Sequence, residues 1–167
     1  MSEHNGRALL PIRYRGGRIL TTENEKLMAE VRCGVIQNFQ LDAYAKRLGL
    51  RLEVNAVGQS YIALTIDDYH TNIYGITHGG VLMSMADTAM ATAILLRNKK
   101  GVTITLSMDF MHSAPLTREI YAKPVILHDG QHTVTTECLI TDANGKLFAK
   151  AHASFYILGP LIDPDRV

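Results

Sequence analysis

The stretch from Thr77 to Arg97, THGGVLMSMADTAMATAILLR, is long enough for a helix and carries no charged face. Val81, Leu82, Met83, Met85, Ala86, Ala89, Met90, Ala91, Ala93, Ile94, Leu95 and Leu96 run around its whole circumference. A helix that is apolar on every side has to be enclosed on every side. The charged residue in its interior is Asp87. A buried carboxylate is costly unless something compensates it. Asp87 is therefore a candidate functional acid, or else an acceptor for a buried backbone group or hydroxyl. The run approaches the ~20 residues of a membrane span. Ser84, Asp87, Thr88 and Thr92 nevertheless cluster at its middle, where polarity costs most in lipid. Protein, not lipid, is the expected enclosure.

His78-Gly79-Gly80 stands immediately before this helix. Glycines let a ligand approach the backbone closely, or simply make a turn. The first turn of a helix offers N–H groups without internal partners, at the positive end of the dipole. An acid and an oxyanion-binding helix end, held at fixed separation, suggest a hydrolase.

Length and composition narrow the alternatives. A chain of 167 residues with 47% hydrophobic and 20% charged residues suits one soluble globular domain. A net charge of +1 gives no support to a nucleic-acid groove or a polybasic membrane patch. Cys33 and Cys138 are far apart and in no CxxC spacing, which argues against a disulfide framework or a zinc knuckle. The opening MSEHNGRALLPIRYRGG lacks the apolar core of a signal peptide, so a cytoplasmic location is expected. The seven histidines include no HExxH and no pair on one helical face. His128 and His132 flank the Asp129-Gly130 turn, as ordinary hairpin positions or as a metal pair. Neither a metal nor a cofactor is expected. Arg97, Lys99 and Lys100 form a solvated helix end or a phosphate contact.

Along the chain, residues 1–22 read as an irregular extension and 23–160 as one domain. Thr21 or Thr22 can cap a helix over Glu23–Gln37, and a shorter helix is predicted over Gln40–Leu48, ended by Gly49. Strands are predicted over Leu50–Val57 and Ser60–Ile66, with a Gly58-Gln59 turn between them. Asp67–Thr77 is polar and irregular. After the apolar helix come Val102–Phe110, apolar at every even position, then Glu119–His128, Gln131–Asp142 and Lys146–Leu158. Asp129-Gly130 and Asn144-Gly145 mark hairpins. Pro124 argues for a sheet edge or a bulge. Two strands before the helix and four after it give an α+β fold, a curved antiparallel sheet wrapped around the helix. What one sheet leaves uncovered, a second subunit can cover.

These elements and residues resemble the hotdog-fold acyl-CoA thioesterases, most closely the branch of the phenylacetate-pathway enzymes. The resemblance rests on Asn72, Gly75, His78-Gly79-Gly80, then Asp87 eight residues into the helix, and on GVTITLSMDFM, Gly101–Met111, with Thr103 near its start. It covers roughly Leu48–Leu158. It implies hydrolysis of an acyl-CoA to free acid and coenzyme A. Asp87 would be the general base or, alternatively, the nucleophile. Asn72 would orient water or the thioester, and the Gly79 amide would hold the carbonyl oxygen. Thr103 would bond the water or the acid. His78 would shape the loop and support Asn72, with Gly80 beside it on the substrate side. The segment Met111–Glu119 is one residue longer than usual in the family, and His112 replaces a basic residue expected to meet coenzyme A. Dimers or tetramers are implied as well.

The spacing adds an independent constraint. Gly79 and Asp87 lie ~12 Å apart along one helix axis. A base acting through one water has to stand within a few ångströms of the reacting carbon. One helix cannot offer both groups to one thioester, but two antiparallel helices across a two-fold axis can. Two other functions compete with hydrolysis. A hydratase of the same fold would carry a histidine within the helix, and this helix has none after His78. A non-catalytic binder of acyl-CoA or acyl carrier protein would not need Asn72, Gly79 and Asp87 together.

Overall fold

The computed structural model describes residues 22–55 and 58–163. The extension read from the first residues therefore lies, up to residue 21, outside the described part, as do Thr21 and the last two positions of the first predicted strand. The elements in order are α1 (Thr22–Leu41), α2 (Ala43–Arg47), β1 (Arg51–Val54), β2 (Ser60–Thr65), α3 (Gly79–Leu95), β3 (Lys99–Phe110), β4 (Glu119–Asp129), β5 (Thr133–Thr141) and β6 (Leu147–Pro160). A single 3₁₀ turn, Asp68–His70, interrupts the polar connection before α3.

The strands form one six-stranded sheet in the order β1-β2-β4-β5-β6-β3. Every pairing is antiparallel. The helix α3 packs on the inner face. Leu82, Met85, Ala86, Ala89, Met90 and Ile94 share one core with Ile62, Ile120, Ile140, Phe148 and Phe155 of the sheet. β6 brings Ala149, Ala151 and Ala153 to that core. Small residues there let sheet and helix approach closely, between the larger Phe148 and Phe155.

Several boundaries differ from expectation. α1 runs on to Leu41, because nothing between Gln37 and Leu41 breaks a helix; Asp42 then caps α2, accepting from Tyr44 N and Ala45 N. The second helix shrinks to five residues, and Gly49 follows it with φ +67°. β1 is four residues long, not eight. Pro124 lies inside the sheet, yet β2 pairs only with Glu119–Ala122 of β4, so on that side the strand is locally an edge. A register slip follows directly, between Ile126 and His128.

The larger departure is in β3. Its pairing with β6 slips by one residue between Thr103 and Thr105. Thr103 is opposite Phe155, whereas Leu106 and Met108 are opposite Ala153 and Ala151. Paired residues point to one face of a sheet, and these partners are buried, so Thr103, Leu106 and Met108 all face the helix. The bulge reverses the alternation. Val102 and Ile104 consequently face outward, 49% and 56% exposed, although they continue the same even series as Leu106.

The apolar helix is also not closed on every side within one chain. Met83 is exposed, and Val81, Asp87, Ala91 and Leu95 are half-buried. Among the described residues no helix is long and apolar enough to cross a membrane.

Cys33 is exposed on α1 and Cys138 is buried in β5. Burial pushes the Cys138 thiol up to about 12, with the Glu137 carboxylate adding to it. Thiolate is the reactive form. A thiol reagent at mildly alkaline pH should therefore label Cys33 in the folded protein and reach Cys138 only after denaturation. Peptide mapping of the labelled protein checks this; equally fast labelling of both would show that β5 does not shield its thiol.

Candidate active site

The site is built around the two ends of the first half of α3. His78 is the N-cap, in extended conformation, and its Nδ1 accepts from Gly80 N at 2.9 Å. The ring proton is thereby placed on Nε2. The His78 carbonyl accepts from Val81 N at 3.0 Å. Of the first three helix amides, two are thus committed to His78. The third, Gly79 N–H, has no partner among the described residues. It is the amide that a carbonyl oxygen can use.

Gly79 has a packing reason to be glycine. A Cβ there would come within 3.2 Å of two ring carbons of Phe110, the last residue of β3. The approach to this N–H is therefore bounded by an aromatic ring. Nothing in the sequence pattern singled out Phe110; the bulge in β3 decides that its ring faces the helix.

Two further contacts hold the turn before α3. The His70 carbonyl accepts from His78 N at 2.8 Å. His70 itself is 3% exposed, and its Nε2 donates to the Leu48 carbonyl at 3.0 Å. Its Nδ1 accepts from Asp67 N, closing a capping box around the 3₁₀ turn. Thr77, also buried, donates from Oγ1 to the Ala114 carbonyl. The chain leading into the glycine pair is therefore fixed to α2 and to the β3–β4 connection. The Asp67-x-x-His70 spacing is the sequence signal for this box, masked by the polar loop in which it lies.

Asn72 lies in the same loop. Its Oδ1 accepts from Tyr74 N at 2.9 Å and Ile76 N at 3.4 Å, and its backbone N–H donates to the Ile76 carbonyl. The amide oxygen is thus occupied in holding the loop, so any ligand contact falls to Nδ2. His78 is bonded to Gly80 and not to Asn72, so its support of that residue is through the loop backbone at most.

Asp87 is two helical turns further on. Thr103 Oγ1 donates to Asp87 Oδ1 at 2.8 Å. This brings together two of the residues picked from sequence. The bulge in β3 turns Thr103 inward, and Thr103 then sets the carboxylate's orientation. Asp87 is half-buried in the chain, not fully enclosed. His112 stands elsewhere: its Nδ1 donates to the Leu147 carbonyl at 2.9 Å, fastening the segment after β3 to the start of β6. Among the described residues no group of three metal-ligating side chains is assembled.

The geometry also keeps the two functional ends apart. Gly79 packs against Phe110, and Asp87 bonds Thr103, so each end of the helix segment meets a different station on β3.

A six-stranded antiparallel sheet curled against one central helix, with this turn at the helix start, is the hotdog fold. The solved structure of the Escherichia coli PaaI protein from the phenylacetic acid degradation operon superposes with a TM-score of 0.74, covering 82% of this chain and 99% of that one at 23% identity. A Streptococcus pneumoniae thioesterase protein crystallised with coenzyme A superposes with a TM-score of 0.63 over 66% of this chain and 90% of its own, at 22% identity. The thioesterase superfamily model matches residues 74–149. In sequence, a protein of Saccharolobus solfataricus that bears an esterase name is 31% identical over 115 residues, 66% of this chain and 74% of the relative. Human acyl-coenzyme A thioesterase 13 is 29% identical over 98 residues, 57% of this chain and 70% of its own. The chain belongs to the thioesterase superfamily.

The capping role of His78 is directly testable. His78→Ala should cost about 0.5–2 kcal/mol of stability in urea denaturation, since an N-cap acceptor is lost. His78→Asn, whose side-chain oxygen can cap, should recover most of it. An alanine variant as stable as the parent would remove the capping assignment.

Proposed function

We propose that this protein hydrolyses acyl-CoA thioesters to the free acid and coenzyme A, in a site shared by two subunits. The observation that carries the reading is the Asp87 carboxylate, oriented by Thr103 at 2.8 Å, on the same helix whose first amide N–H is unused. A thioester has an electrophilic carbonyl and a good leaving group. It needs an activated water and a donor for the developing oxyanion, and no separate Ser-His pair.

In this mechanism Asp87 takes a proton from water as the oxygen attacks the carbonyl carbon. The carbonyl oxygen becomes an oxyanion held by a Gly79 N–H, where the helix dipole also favours negative charge. The tetrahedral species collapses with cleavage of the C–S bond. Protonated Asp87 returns its proton to the departing thiolate, and the carboxylic acid loses its own to solvent. Thr103 keeps the carboxylate aimed and bonded while its charge changes. Asn72 Nδ2 is the group left to orient the water or the thioester.

A second copy supplies the missing half. The ~12 Å along α3 between Gly79 and Asp87 exceeds the reach of one water. β3 supports a specific pairing. It is an edge of the sheet, 12 residues long, and carries the exposed Val102 and Ile104. A long apolar edge strand is a template for pairing with another chain. Edge-to-edge pairing of two β3 strands about a two-fold axis continues the sheet and sets the two α3 helices side by side.

Asp87→Ala should lower turnover by roughly 10²–10⁴ with a small change in KM. Asn72→Ala should lower it less on the same acyl-CoA. A folded Asp87→Ala protein with parental turnover would exclude the general-base role, and parental kinetics in Asn72→Ala would reduce that residue to its observed loop contacts.

Subunit mixing tests the shared site. Asp87→Ala and Gly79→Val are each expected to be inactive, the latter because Phe110 already crowds the position of an added Cβ. Mixed and reassociated equally, they should form mixed dimers in about half of cases, each with one intact site of two. About a quarter of parental activity should then return. Sites confined to single subunits would return none, and mass spectrometry of the mixture establishes that exchange has occurred.

A further inference from the structure

The outer side of α3, away from the sheet, is not packed like the inner one. Between it and α1 runs a groove of about 500 Å³. That is a small-molecule volume, where helices packed for stability alone would interdigitate. Its floor on α3 follows one helical stripe from Asp87 through Ala91 to Leu95, and its roof is Val35, Asn38 and Phe39 of α1.

The chemistry along this floor is graded. Thr88 Oγ1 donates to the Ser84 carbonyl and Thr92 Oγ1 to the Thr88 carbonyl, both at 2.7 Å. Their hydroxyls are turned into the helix, which leaves methyl groups toward the groove. Beyond Asp87 the stripe therefore presents only apolar atoms, although its sequence reads as polar. The other end is polar, lined by Asp42, Tyr44 and Ser84. Tyr44 Oη and Ser84 Oγ are 2.6 Å apart, a latch between α2 and α3 one turn before Asp87. An apolar chain reaching Asp87 finds apolar walls in one direction only, toward Leu95. Eight residues of helix make that path ~12 Å long.

We propose that this groove is the acyl pocket, and that it selects medium-chain fatty acyl groups. The inference rests on the thioesterase reading above and adds to it a substrate class and a direction. The thioester carbon lies at Asp87, and the acyl chain runs beneath α1 within the subunit that supplies the acid. The coenzyme A part lies on the other side, toward the subunit that supplies Gly79. Ala91, midway along the floor, limits the width, and Phe39 limits the depth. An acetyl group leaves the groove unfilled, and a long-chain group exceeds it.

The test is kcat/KM on butyryl-, octanoyl-, dodecanoyl- and palmitoyl-CoA for the parent, Ala91→Phe and Phe39→Ala, each checked for folding by circular dichroism. The parent should peak at octanoyl- or dodecanoyl-CoA. Ala91→Phe should lower the octanoyl-to-butyryl ratio by about tenfold or more, the scale set by lost methylene contacts in an apolar pocket. Phe39→Ala, which removes volume and adds no strain on α3, should move the optimum toward longer chains. Unchanged ratios in both folded variants, or an equal loss on every chain length, would overturn the pocket assignment while leaving hydrolysis intact. If Ala91→Phe does not fold, the Phe39→Ala shift decides alone. A parent that cleaves acetyl- or phenylacetyl-CoA but none of the four would overturn the medium-chain assignment alone, and one that cleaves none of the six would overturn the thioesterase reading and the pocket with it.

Discussion

The enclosure of α3 is the constraint on which the rest of the structure depends. A 17-residue helix of this composition has no stripe that can face water along its whole length. Six antiparallel strands curl around one side of it, with alanines on β6 allowing close approach. α1 packs on the far end of the other side, where Val31 and Val35 meet Leu95 and Leu96, and leaves a groove beside Asp87. The candidate site lies where the enclosure is incomplete. Asp87, Thr88 and Ala91 are half-buried there, and that is where the groove lies.

In the proposed mechanism the same helix separates the two functions a hydrolase needs. Its N-terminus is prepared by His78, which occupies two amide contacts and leaves the Gly79 N–H. Its middle carries the carboxylate, held by Thr103. Rigid spacing along one helix prevents these groups from converging within a chain. The proposed dimer resolves this by symmetry: each helix start faces the acid of the other, and the exposed edge of β3 gives the two chains a surface on which to pair.

Much of the candidate site is legible in the sequence. A lone acid in an apolar helix, a glycine pair at its start and a threonine on the following strand are local signals, and the structure brings Asp87 and Thr103 into contact. The order of elements and both glycine-marked hairpins were legible for the same reason: turn chemistry and hydrophobic period act over a few residues. His70, Tyr44 and Phe110 were not legible. Each matters through a partner distant in sequence: the Leu48 carbonyl, Ser84 and Gly79 respectively. Asn72 and His112 were picked from sequence, but their bonds to Tyr74, Ile76 and Leu147 are set by the folded loops.

By itself the sequence determined that an apolar helix needed enclosure, that four strands followed it, and that an acid and a helix start stood a set distance apart. These follow from periods and spacings along one chain. That the first of the four pairs with the last, and not with the second, was decided by the fold. Tertiary structure decided which way each face turns. In β3 the even-numbered apolar series is unbroken, yet a single bulged residue sends Val102 and Ile104 outward and Thr103, Leu106 and Met108 inward. No periodicity in the strand records that slip, because it exists only relative to β6. The hydroxyls of Thr88 and Thr92 make the same point, since a helix carbonyl one turn away converts a polar stripe into an apolar floor.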